Sequence, residues 1–110
     1  MANTFKNSIK GPAGTAGLIA YTTPAGAVAT VIGVSVANIL NQNINVDVSI
    51  TDNSAGVTKY LVKGVLLPQG TSTILVGGDQ KVVLEANDSI TVTSSVNSSV
   101  DVVVSVLEIT

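Results

Sequence analysis

The sequence predicts an all-β fold: an antiparallel β-sandwich of about eight strands, jelly-roll or immunoglobulin-like, carrying an extended N-terminal arm. Three observations predict it. Valine (19), isoleucine (9) and threonine (12) make up 40 of the 110 residues, and β-branched side chains suit a pleated surface better than a helix. Apolar and polar residues alternate with a period of two at 44–51 and 100–106, a pattern that a helical period would scatter around its axis. Turn-forming clusters recur about every 8–12 residues, as in sandwiches and barrels.

The elements follow in order. Residues 1–17 hold Lys6 and Lys10, no acid, and a GPAGTAG stretch without periodicity, so they read as the arm; residues 18–110 read as the sandwich domain. Residues 18–22 form a short strand closed by the turn Thr23-Pro24-Ala25-Gly26. A longer strand over 27–39 places Val28, Thr30, Ile32, Val34 and Val36 on one face. Ala29, Gly33, Ser35 and Ala37 lie on the other, with Val31 out of pattern. At 44–51, Ile44, Val46, Val48 and Ile50 face inward, while Asn45, Asp47, Ser49 and Thr51 face water. The cluster 52–56 is a turn, since Asp, Asn and Gly tolerate its backbone geometry. Strands then follow at 57–63, 65–67, 71–76, 81–84, 89–94 and 100–109. Their connections are Pro68-Gln69-Gly70, Gly77-Gly78-Asp79-Gln80, Ala86-Asn87-Asp88 and Asn97-Ser98-Ser99.

Composition narrows the chemistry. The chain has no His, Cys, Trp or Arg, which removes Cys/His zinc sites, thiol nucleophiles, histidine acid–base pairs and disulfides. Three aromatics, Phe5, Tyr21 and Tyr60, leave an aliphatic core. Charged residues are 11 % and the net charge is −2, so no basic footprint for nucleic acid is present. No window reaches the run of about 18 apolar residues that a spanning helix needs, and residues 1–17 lack the apolar centre of a secretory leader.

The remaining candidates favour structural roles. Gly77-Gly78-Asp79 lacks the Lys-Ser/Thr of a phosphate-binding loop and joins two strands. Glu85 and Asp88 are spaced for an acid–base pair or calcium, but with Asn87 between them they read as a solvated hairpin tip. Asp47 and Asp101 read as solubilising charges. Asn87-Asp88-Ser89 and Asn97-Ser98-Ser99 match the glycosylation sequon, which matters only on a secretory route. Tyr21 and Tyr60 read as fillers at the core edge. The chain is therefore expected to be no enzyme, with no metal and no cofactor.

Three stretches carry a resemblance: YTTPAGAVATVIGVSVAN (21–38), LVKGVLLPQGTSTILVGGDQKVVLEANDSITV (61–92) and VDVVVSVLEIT (100–110). In these the chain resembles small virion structural proteins of tailed bacteriophages, especially cyanophage-like ones. The resemblance implies a capsid decoration (cement) or neck- or tail-associated subunit located in the virion. It implies contacts with a major capsid or tail/neck protein and a homo-oligomer, trimer or hexamer, while the low charge and broken apolar runs predict no nucleic-acid or membrane partner. The alternative is a small carbohydrate-binding adhesin or fibre module, which requires Tyr21 and Tyr60 to converge. Outside the resemblance, the arm carries Lys6 and Lys10 against a body of seven acids and three lysines. Its large apolar side chains are Phe5 and Ile9. These four residues are the expected subunit contacts, with the arm lying on a neighbouring copy.

Overall fold

The computed structural model describes residues 2–77 and 81–110. Among these residues there are nine strands: β1 (Asn3–Ala13), β2 (Leu18–Thr22), β3 (Val28–Asn38), β4 (Ile44–Asp52), β5 (Val57–Leu67), β6 (Ser72–Val76), β7 (Val82–Leu84), β8 (Ser89–Ser94) and β9 (Val100–Ile109). No helix is present among the described residues. The predicted strands at 57–63 and 65–67 are one element, β5. The connection at Gly78, Asp79 and Gln80 lies outside the described residues.

Two sheets pack face to face. One has the order β1-β9-β3-β6, with β7 also on β3; the other has the order β2-β8-β4-β5. Every pairing is antiparallel. The pairs are nested in the chain: β4 with β5, then β3 with β6 and β7, then β2 with β8, and outermost β1 with β9. The chain thus folds as one long hairpin wrapped across two layers.

The core lies between the sheets and is almost wholly aliphatic. Val100, Val102, Val104 and Val106 of β9 face Val46 and Val48 of β4 and Ile90 and Val92 of β8 across the interior, all of them buried. Each such side chain contributes about 1.5–3 kcal/mol on leaving water. Tyr21 is the single aromatic in this core. The alternation read at 44–48 and 100–106 is that of the inward faces of β4 and β9, whereas Ser49, expected to face water, is buried and Ile50 only partly so.

Two readings are corrected. In β3 the inward residues are Ala29, Val31, Val34 and Val36, and the pairing to β9 shifts register between Val31 and Gly33. A bulge at Ile32 exchanges the two faces midway, so Val28, Thr30 and Ile32 do not share a face with Val34 and Val36. The second correction concerns the arm. Residues 3–13 form a full edge strand, paired with β9 of the same chain from Asn3↔Ile109 to Ala13↔Val100. Main-chain bonding needs no side-chain periodicity, and β9 offers a free edge beside β3. The arm is therefore part of the sheet.

Candidate interaction surface

Residues paired in register point to the same side of a sheet, so the ladders define the outer face of the first sheet row by row. The rows are Asn3–Ile109–Val28, then Phe5–Leu107–Thr30–Val83, then Asn7–Ser105–Gly33, then Ile9–Val103–Ser35–Ile74. No residue in these four rows is charged. Phe5, Ile9, Val28, Ile74, Val83 and Val103 are six of the eleven exposed large hydrophobics among the described residues, so this face holds more than half of them. Scattered exposed apolar residues are ordinary, whereas a contiguous set on one face marks an interaction site. Near the centre lies a shallow groove of about 270 Å³, lined by Phe5, Lys6, Asn7, Ile32, Ser105 and Val106.

The opposite broad face is different. Its register rows bring together Asp47, Ser49 and Thr51 of β4 with Ser89, Thr91 and Thr93 of β8, and Asn45 with Leu66 of β5. Lys63 lies 3.7 Å from Asp47 and 4.5 Å from the centre of the Tyr60 ring. Tyr60 is exposed there, not a core filler, while Tyr21 is buried in the interior. The two tyrosines do not converge into a sugar-stacking platform.

The four expected contact residues divide by face. Phe5 and Ile9 point outward, 76 % and 68 % exposed. Lys6 and Lys10 pair with the inward-facing Val106 and Val102. Lys6 reaches Glu108 at 3.0 Å, and the Tyr21 hydroxyl donates to the same carboxylate at 2.6 Å. This ties β1, β2 and β9 together at one end of the sandwich. The bond from Tyr21, and then Lys6, hold the Glu108 carboxyl below the usual carboxylate range. Burial, and then the neighbouring carboxylate, push the Tyr21 phenol up. The attraction of the arm's lysine for the acidic body is thus satisfied within one chain.

Asp88, Asp47 and Asp52 are structural acceptors, whereas Asp101 is exposed on the outer side of β9. Asp88 is buried; its Oδ1 accepts from the Asn53 N–H at 3.0 Å and its Oδ2 from the Glu85 N–H at 2.9 Å. The solvated-tip reading is therefore corrected for Asp88, which joins the β4–β5 and β7–β8 turns. Asp47 accepts from the Gly64 N–H at 2.6 Å, inside β5 where the ladder shifts register. Asp52 accepts from the Ser54 and Ala55 N–H groups and the Ser54 hydroxyl. The Ala55 and Ser54 bonds hold its carboxyl below its ordinary value. Folding brings Asp52 beside Glu85 and Asp88, one oxygen of each lying within 4.8 Å of the others. Only Glu85 and Asp88 are close in sequence, so reading the chain alone missed the third acid. Two of the three already bond main-chain N–H groups, which accounts for their positions without a ligand.

The chain matches no family model, no curated protein and no solved structure.

Proposed function

We propose that the chain is a non-catalytic structural subunit of a bacteriophage virion, a capsid decoration or neck- or tail-associated component. It acts by burying surface between neighbours. The observation that carries this reading is the largely apolar outer face of the β1-β9-β3-β6 sheet, with Phe5, Ile9, Ile74 and Val83 exposed on it and Asp101 at its edge. A residue set without His or Cys supports a role based on surface over one based on chemistry. We also assign the sandwich to the jelly-roll type, because its nested pairs split alternately between a five-stranded and a four-stranded layer. Jelly rolls recur in viral capsid proteins and in lectins, which is support by analogy of fold. The partners in this reading are further copies of the chain and a major capsid or tail/neck protein. Peptide mass spectrometry of purified particles, from a phage whose genome carries this sequence, tests it. The expected result is a fixed, multiple copy number per particle. Protein found only in the particle-free lysate overturns the reading.

A further inference from the structure

Strand β1 is inverted relative to the sheet it joins. Its positions facing the core are Thr4, Lys6, Ser8 and Lys10, and no side chain from Asn3 to Pro12 is buried. Its two large apolar side chains, Phe5 and Ile9, point away from the core. Neighbouring β9 has the usual sense, with valines inward. In a lone chain, apolar side chains turned to solvent contribute almost nothing. They contribute once something covers them.

We propose that the outer face of the β1-β9-β3-β6 sheet docks on the same face of a second copy of this chain about a two-fold axis. The proposal rests on the structural-subunit reading and specifies its contact. Charge points to a second copy. In an isologous contact each patch meets itself, so a charged patch repels its twin. The molecule carries seven acids and five lysines, yet the four rows from Asn3–Ile109 to Ile9–Val103 carry none, and the one acid on this face of β9, Asp101, lies in the row beyond them, opposite Ala37. The opposite broad face carries Asp47 and Lys63.

Shape points the same way. Phe5 stands proud of the sheet and also lines the groove beside it, with Lys6, whose ammonium is paired with Glu108, and Asn7, Ile32, Ser105 and Val106. A knob adjoining a recess is self-complementary, because each copy supplies both halves. Area sets the strength. Four strands at about 4.8 Å spacing and four rows about 7 Å apart give a patch on the order of 500 Å². Two such patches bury about 1,000 Å², at the lower bound for a specific interface. A contact of that size is a reversible, concentration-dependent one. A hexamer can be built from such pairs, whereas a trimer contains none.

Sedimentation velocity of the full chain, from nanomolar to high micromolar concentration, tests the contact. The expected result is a monomer–dimer equilibrium. Phe5→Asp and Ile74→Asp should each weaken it at least about tenfold, with an unchanged far-ultraviolet spectrum. Mixing Phe5→Asp with Phe5→Lys should restore pairing, and Leu66→Asp, on the other sheet, should leave association unchanged. A chain monomeric throughout, or an association indifferent to both aspartates or abolished by Leu66→Asp, overturns the proposal. The two readings separate cleanly. A monomer that still enters particles defeats the two-fold contact alone, and a Phe5-dependent dimer missing from particles defeats the virion role alone.

Discussion

Glu108 shows how one residue's environment sets a pH dependence. Its folded-state pKa is depressed by the Tyr21 hydroxyl and the Lys6 ammonium, so the unfolded chain takes up the proton first on acidification. The stabilisation from this carboxylate is complete above the unfolded value, near pH 4.5, and is lost as pH falls through the folded value. Melting temperatures between pH 7 and pH 3 should therefore fall more steeply for the wild type than for Glu108→Gln. At the alkaline end the sign reverses. Tyr21 has a raised pKa, so stability declines once the unfolded phenol ionises above pH 10 and continues to fall until the folded phenol follows. Tyr21→Phe should abolish that decline and cost about 1.5–3 kcal/mol at neutral pH, the range for a bond to a charged group. Asp88 makes a separate prediction. Asp88→Ala orphans the Asn53 and Glu85 N–H groups and should cost at least about 2 kcal/mol in urea unfolding, with Asp88→Asn intermediate. Among the described residues, Thr23 Oγ1, fully buried, meets no partner in hydrogen-bonding geometry. Thr23→Val should therefore be neutral or slightly stabilising.

At the scale of elements, β1 and β9 are partners of unequal strength. Ordering a residue costs about 1–2 kcal/mol of backbone entropy, and a main-chain hydrogen bond returns about 0.5–1.5 kcal/mol net. β1 adds to its ladder the Lys6–Glu108 pair, a bond from the Ser8 hydroxyl to the Ala20 carbonyl at 2.5 Å, and the buried Ala13. That leaves it near balance. Native-state hydrogen exchange should show it: β9 amides bonded to β1 should exchange early through local opening, and those bonded to β3 only on global unfolding. Uniform protection along β9 would contradict this picture. Adjacent valines of β9 make a sharper contrast. Val104 is fully buried and Val103 is 40 % exposed, so Val104→Ala should cost about 2 kcal/mol by the measure of core truncations. Val103→Ala should cost less than about 0.5 kcal/mol.

For the molecule as a whole, nested pairing joins the two ends of the chain. The Ala2 N–H bonds the Thr110 carbonyl at 3.0 Å, and the Thr110 N–H bonds the Ala2 carbonyl at 2.9 Å. Only the β4–β5 pair is closed by a short turn, and each outer pair encloses more chain than the last. Topologies dominated by such distant pairings fold in milliseconds to seconds. Stopped-flow refolding from urea should fall in that range, and microsecond folding would be inconsistent with the nesting. The two broad faces give the molecule a direction, one hydroxyl-rich with Asp47 and Lys63, the other mostly apolar with Asp101 at its edge.

The sequence by itself determined the class of fold. Period-two alternation at 44–51 and 100–106, β-branched richness and regularly spaced turns leave little besides a two-layer antiparallel protein, because burial on one side of a strand writes itself into every second residue. It also determined that the core is aliphatic. What only the tertiary structure decided is which face each ambiguous strand buries and which distant residues meet. Val31 broke the alternation in 27–39, and that break was the trace of the Ile32 bulge, but a register shift becomes visible only against a partner strand. Residues 3–13 gave no periodic signal, since their strand is held by main-chain bonds to β9 and by a lysine whose carboxylate lies about a hundred residues away. Asp52 joined Glu85 and Asp88 for the same reason. The apolar outer face, assembled from five strands, is written in no single stretch of sequence: side-chain alternation is local, whereas the register that aligns one strand's alternation with the next is set by long-range hydrogen bonding.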